Sequence, residues 1–276
     1  MRAALVQLNS SDDPMANLAG TRARVDEAAT EGARFVLTPE VTNCVSASRT
    51  RQLEVLTTEA EDPTLAGLRE RAAAHGIWLL IGSLALKAED APVPFVNRSF
   101  LIGPDGRIAA RYDKIHMFDV DVSETETYRE SAAFQPGNRA VLAEVDGVRV
   151  GLTICYDLRF PALYRRLAEA GAQILTVPAA FSPGTGPDHW EPLLTARAIE
   201  TGAFVLAPAQ CGRHAAAQGR ARETHGHSLA VSPWGRVMTD MGARPGVALV
   251  DLDLGLVGQS RRRVPSLSHG RPFEGP

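Results

Sequence analysis

The chain lacks an excess of positive charge. Its 29 lysines and arginines are outnumbered by 32 aspartates and glutamates, a net charge of −3. Nucleic-acid binders usually display a basic face, so no nucleic-acid partner is expected. The one basic cluster, Arg261-Arg262-Arg263, reads as a solvated face. No apolar stretch approaches the roughly 18 residues needed to cross a membrane. The N-terminal apolar run extends only from Ala3 to Leu8, too short for a signal-peptide core, so no membrane association is expected. Cysteine is scarce: Cys44, Cys155 and Cys211 are odd in number and far apart, which argues against a disulfide framework and for a cytoplasmic address. No interior linker rich in Ser, Gly or Pro divides the chain, and no repeat is visible. One domain over 1–276 is therefore expected, with a core to about 256 and a C-terminal tail over 257–276.

What is present is an alternation of short apolar runs and helical stretches. The spacing predicts strands at Ala3–Gln7, Phe35–Leu37 and Ile77–Leu86, with helices from about Met15 to Glu31 and Thr64 to His75. Asp105-Gly106 and Asp146-Gly147 each lie between apolar runs, a strong short-range hairpin signal. Beyond Pro161 a helix to Ala170, a strand at Ile174–Val177, a helix over His189–Glu200 and a strand at Phe204–Ala207 are expected. Strands follow at Ser228–Val231, Val237–Thr239 and Val247–Asp253. Crossover units together with hairpins predict an α/β layered protein with mixed sheets. The Ala-, Arg- and Gly-rich segment Gly212–Thr224 is expected to be a mobile loop.

Four residues attract chemical attention. Cys155 falls on a strand-to-helix turn, where a nucleophile is held rigidly and neighbouring backbone N–H groups stay free for an oxyanion. Its bland alternative is an inert buried cysteine. Glu40 ends a strand at the sheet edge where open α/β proteins place ligands, although a surface carboxylate would look the same. Lys114 follows the strand Arg107–Tyr112, and Glu130 lies in a polar stretch; taken singly, both read as solvated charges.

Read together, Thr38-Pro-Glu40, Tyr112-Asp-Lys114-Ile-His116, Tyr128-Arg-Glu-Ser131 and Ile154-Cys-Tyr-Asp-Leu-Arg-Phe-Pro161 resemble the nitrilase (carbon–nitrogen hydrolase) superfamily. Thr185-Gly-Pro-Asp-His-Trp-Glu191, Arg197-Ala-Ile-Glu200 and Ala209-Gln-Cys-Gly-Arg-His214 look like its Nit branch. The nearest likeness is to deaminated-glutathione amidases, with omega-amidases close by. The similarity runs from Ala3 to about Arg271. It implies a four-layer α-β-β-α sandwich that forms a homodimer or higher homo-oligomer through helical faces. It also implies an amidase that releases ammonia from a small carboxylated amide through a cysteine thioester, with no cofactor or metal.

On this resemblance Glu40, Lys114 and Cys155 occupy the Glu-Lys-Cys triad and Glu130 is the second glutamate. Lys114 and the Tyr156 N–H would hold the oxyanion. Arg159, four residues after Cys155, would bind a substrate carboxylate through its planar fork, and Thr185 would add a hydrogen bond. The alternative for Arg159 is a structural ion pair with Asp157 or another carboxylate. With two carboxylates around one lysine, Cys155 is expected to rest protonated or to share a proton with Glu40. Three segments depart from relatives: Ser123–Thr127, the lengthened Ala215–Thr224, and His225 at a position that tends to be aromatic. Nitrile and N-carbamoyl hydrolases would reuse the same triad, and a catalytically silent interaction module is the non-enzyme alternative. Gly226-His-Ser228 approximates a serine-hydrolase elbow with Asp251 and His269 following, but it reads as a strand rather than a strand–turn–helix. His225 and His227 alternate as if on one strand face, without a third ligand at metal-site spacing.

Overall fold

The computed structural model describes residues 1–89, 91–123 and 126–275. One mixed sheet has the spatial order Gly246–Asp251, Arg2–Gln7, Phe35–Leu37, Trp78–Lys87, Phe95–Ile102, Ile108–Asp113, with Phe134–Gln135 paired to Phe95–Ile102. The second runs Val237–Asp240, Leu229–Val231, Phe204–Ala207, Ile174–Thr176, Val148–Leu152, Val141–Val145. The period-two alternation of the first sheet sorts its side chains between two cores. Ala3, Leu5, Phe35, Leu37 and Leu80 pack with Val150, Leu152 and Val205 of the second sheet. Ala4, Val6, Val36, Leu79 and Ile81 face the other way, onto Leu18, Val25, Leu65 and Leu68 of the helices Pro14–Thr30 and Pro63–His75. The helices Pro161–Glu169 and Gly186–Thr201 pack on the second sheet through Leu163, Leu167, Trp190 and Leu194. This is the α-β-β-α sandwich. Both sheets are buried on two faces, which is why their strands read as continuous apolar runs.

Local chemistry places the boundaries. Asp13 and Asp62 cap the first two long helices with their carboxylates, and Gly76 closes the second in the left-handed conformation. Asp146 and Gly147 both have positive φ (49° and 79°), the turn geometry that an Asp-Gly hairpin requires. Gly82 is needed for a different reason: a Cβ there would overlap the Thr38 carbonyl oxygen and crowd Pro178, at the junction that carries Glu40.

Several expectations are corrected. The boundary at 256/257 falls inside a helix, Gly255–Arg263, which buries Val257 and Ser260. Arg261 is not a solvated charge, since its guanidinium donates to the Thr201 and Ala172 carbonyls. The segment Gly212–Thr224 is tied at its ends, where Cys211–Arg213 pairs antiparallel with Glu223–His225. Two short elements carried no periodic signal: the helix Arg49–Val55, which buries none of its residues, and the hairpin Asp119–Ser123/Glu126–Arg129. Within the departure at 123–127, residues 124 and 125 lie outside the described residues. No described helix is long and apolar enough to cross a membrane.

Candidate active site

Glu40, Lys114 and Cys155 come from three strand ends and meet at one edge of the sandwich. Glu40 and Val41 follow the strand Phe35–Leu37. Val41 holds a left-handed backbone (φ 47°), an outlier for a β-branched residue. Its N–H donates to Ser83 Oγ at 2.8 Å, and Gln210 Nε2 donates to the Glu40 carbonyl at 3.1 Å, so the turn is fixed from both sides. Cys155 opens a 3₁₀ turn, Cys155–Arg159, after the strand Val148–Leu152, and it too is left-handed (φ 46°). Its N–H donates to the Pro178 carbonyl at 2.9 Å. Strained non-glycine backbone of this kind is retained where the surroundings over-determine it, commonly at active sites.

Asp157 joins the lysine strand to the cysteine turn. Fully buried, it accepts from Tyr112 Oη at 2.6 Å, the His116 N–H at 3.1 Å and the Ile154 N–H at 2.8 Å, with His116 Nδ1 at 2.7 Å. Tyr112 and His116 flank Lys114 by two residues on either side, so one carboxylate sets the Lys114 segment against Cys155.

Lys114 Nζ donates to Glu40 Oε1 at 2.9 Å and to Glu130 Oε1 and Oε2 at 2.9 and 2.8 Å. Glu40 also accepts from Asn97 Nδ2 (2.9 Å) and the Ala180 N–H (2.8 Å), and Glu130 accepts from the Phe118 N–H (2.7 Å). Lys114 is 2% exposed, Glu40 4% and Cys155 7%, so these charges interact with little screening by water. Burial pushes the Glu40 carboxyl up, but the Lys114 ammonium, with hydrogen bonds from Lys114, the Cys155 thiol and Ala180, holds it below the usual carboxylate range. Burial also works against the Lys114 charge, yet Glu130 and Glu40 raise it well above an ordinary lysine. Cys155 is driven the other way. Burial and then the Glu40 charge push its thiol well above its usual value, against the opposing pull of Lys114. The resting site therefore holds a carboxylate, an ammonium and a neutral thiol, which agrees with the charge argument from sequence.

The site opens into a cavity of about 710 Å³ lined by Tyr128, Tyr156, Phe181 and Thr185 as well as the charged residues. Thr185 Oγ1 is buried without a partner among the described residues. Arg159 is not among the described lining residues. Its guanidinium lies over the Tyr156 and Phe181 rings at 6.0 and 5.7 Å and bonds His189 Nδ1 at 3.2 Å. Nor is it the ion-pair partner of Asp157, whose oxygens are taken by Tyr112, His116 and Ile154. Sequence reasoning missed Asn97, which opens a polar Asn-Arg-Ser run inside the strand Phe95–Ile102 and carries no signal of its own.

The rival constellations do not assemble. Ser228 Oγ accepts from the Ala209 N–H, Asp251 pairs with Arg2, and His269 lies in the exposed C-terminal segment. His225 and His227 stack at 4.5 Å across a positive-φ turn rather than alternating along a strand, and His227 bonds Asp240 at 3.0 Å.

The protonation state yields a direct prediction. Ultraviolet thiolate absorbance, taken as wild type minus Cys155→Ser, should stay absent through about pH 9 and appear at lower pH in Glu40→Gln, which removes the opposing charge. A full thiolate signal at neutral pH in the wild type would contradict this electrostatic balance.

Comparison with known proteins agrees with this geometry. The deaminated glutathione amidase of Yersinia enterocolitica is 37% identical over 270 residues, 97% of this chain and 92% of the relative. The human protein of that name is 36% identical over 98% of this chain and 82% of its own length. Among solved structures, the Caenorhabditis elegans NitFhit protein superposes with TM-score 0.89 at 34% identity; the match covers 98% of this chain and 65% of that longer one. Saccharomyces cerevisiae Nit3, of the nitrilase superfamily, gives 0.86 at 27% identity, covering 99% and 97%. The carbon-nitrogen hydrolase family model matches residues 2–262, and the chain belongs to that family of enzymes.

Proposed function

We propose that this carbon–nitrogen hydrolase cleaves the amide of a carboxylated substrate of the deaminated-glutathione type, with Cys155 as nucleophile. The observation that carries this reading is the buried Lys114 ammonium shared by Glu40 and Glu130 beside a neutral thiol. In the first half-reaction Cys155 Sγ attacks the carbonyl carbon while Glu40 takes the thiol proton. The oxyanion forms against Lys114 Nζ and the Tyr156 N–H. Nζ has three protons and directs two of them to one carboxylate, Glu130, so one of those can turn to the oxyanion while the other still fixes the lysine. Glu40 then protonates the amide nitrogen, the C–N bond breaks and a thioester remains. Water enters, loses a proton to Glu40 and attacks the thioester; the C–S bond breaks and the thiol is restored. Every proton passes through Glu40, so no cofactor or metal takes part in the scheme.

The relatives' name supports the substrate class, and the cavity is large enough for a tripeptide-sized ligand. Deaminated glutathione contains only secondary amides, so its leaving group is an amine, the dipeptide half, rather than ammonia. Ammonia release belongs to a primary amide such as 2-oxoglutaramate. Thr185, with its unpartnered hydroxyl in the lining, is our candidate donor to the acyl half. Arg159 then acts behind the Tyr156 and Phe181 rings, keeping them in place. The three cysteines are unpaired, which fits a reducing cytoplasm.

An apolar patch supports a homodimer. Ile199 is 57% exposed, Val264 56% and Trp234 42%, with Val237 and Met238 also uncovered, on one helix face and the hairpin and C-terminal segment beside it. Patches of this kind mark association surfaces.

Three predictions test these readings. Cys155→Ala should lose essentially all amidase activity while remaining folded, and Lys114→Ala should lower kcat by about 10²–10³ at little changed KM, the loss typical of one oxyanion donor. A Lys114→Ala variant altered only in KM would make the lysine a substrate ligand instead. Light scattering should give twice the 29.6 kDa chain mass for the wild type and the chain mass itself for Ile199→Glu/Trp234→Glu. A wild-type monomer would remove the dimer.

A further inference from the structure

The cavity has two electrically different ends. At its floor the Lys114 charge is already offset by Glu40 and Glu130. Its lining also includes Arg49, Arg213 and Arg222, none of them in an ion pair with a described carboxylate. Arg213 is exposed and lies opposite Glu223 in the two-stranded ribbon, so its field is partly compensated. Arg222 is different. Its guanidinium lies 5.8 Å over the Tyr128 ring, and its Nε is buried with no hydrogen-bond partner among the described residues. A desolvated donor without an acceptor is rare, and it points to a group that arrives from outside the chain. Tyr128 in turn packs on Phe118 at 4.9 Å, and the Phe118 N–H holds Glu130. Among the described residues Arg222 is thus linked to the Glu130 side of the site through two successive ring contacts rather than by a direct hydrogen bond or ion pair.

We propose that Arg222 anchors a carboxylate subsite at the outer end of the cavity, assisted by the positive field of Arg49 and Arg213, and that it reads a carboxylate on the amine half of the amide. This rests on the amidase reading above and adds to it the residue that reads the acid on the departing half. The assignment to that half follows from the order of events. After C–N cleavage the acyl group stays on Cys155 while the amine leaves, so the half nearer the outer end is the one that departs. Arginine suits the task because its planar fork presents two parallel N–H groups to a carboxylate.

The test compares deaminated glutathione with its analogue in which the terminal carboxymethyl group is replaced by methyl. Wild type should prefer the carboxylate by about 10- to 100-fold in kcat/KM, the range for a hydrogen bond to a charged group, mostly through KM. In Arg222→Met, which keeps the aliphatic stem over Tyr128, the preference should fall to near one; Arg222→Lys should keep part of it. A preference at the wild-type level in Arg222→Met, whatever its absolute activity, overturns the subsite. If wild type cleaves neither compound, the substrate reading fails and the subsite is judged separately. N-Acetylglycine should then protect Cys155 from iodoacetamide in the wild type and not in Arg222→Met. Equal protection of both, or of neither, overturns it.

Discussion

A lysine ammonium held between two carboxylates in a nearly dry site is the interaction on which the rest depends. Desolvating Lys114 is costly, and only the pairing with Glu40 and Glu130 keeps its charge there. That same pairing sets the other groups. It holds Glu40 ionised, and burial together with the Glu40 charge keeps the Cys155 thiol neutral. In the proposed mechanism, base and nucleophile are thus kept one proton transfer apart, and the cation stands where negative charge would develop. Preorganisation of this kind needs little rearrangement during the reaction.

The sandwich exists, from this viewpoint, to bring three strand ends to one place. Glu40 and Lys114 belong to the first sheet and Cys155 to the second, so the packed interface between the sheets fixes their separation. Asp157 reinforces the junction by gripping residues on either side of Lys114 while it closes the cysteine turn. The left-handed backbones at Val41 and Cys155 are the local cost, offset by hydrogen bonds from the Val41 N–H to Ser83 Oγ and from the Cys155 N–H to the Pro178 carbonyl.

Much of this is legible in the sequence because it is local. Apolar runs, Asp caps and Asp-Gly turns mark the strands, helices and hairpins to within a few residues. The motif around Cys155, with Glu40, Lys114 and Glu130, names groups that the fold does bring together. What escapes is long-range. Asn97 reaches Glu40 across 57 positions of sequence, and nothing around it signals the contact. The helix Gly255–Arg263 has too few apolar residues to show a period; it is held through Val257 and the Arg261 bonds to distant carbonyls. Arg159 sits four residues from Cys155, yet it lies over the Tyr156 and Phe181 rings and is not among the described lining residues, while Arg222, far along the chain, lines the cavity. Proximity in sequence fixed the backbone there and left the side-chain direction to tertiary packing.

The central claim is a thioester on Cys155, and partitioning tests it most directly. Two amides that share an acyl group and differ in their amine are hydrolysed in the presence of hydroxylamine, and the ratio of hydroxamate to free acid is measured for each. A common acyl-enzyme requires the same ratio from both, with Cys155→Ala forming neither product. Ratios that change with the amine would mean that water and hydroxylamine attack the amide itself, and the account of Cys155 as nucleophile would not stand.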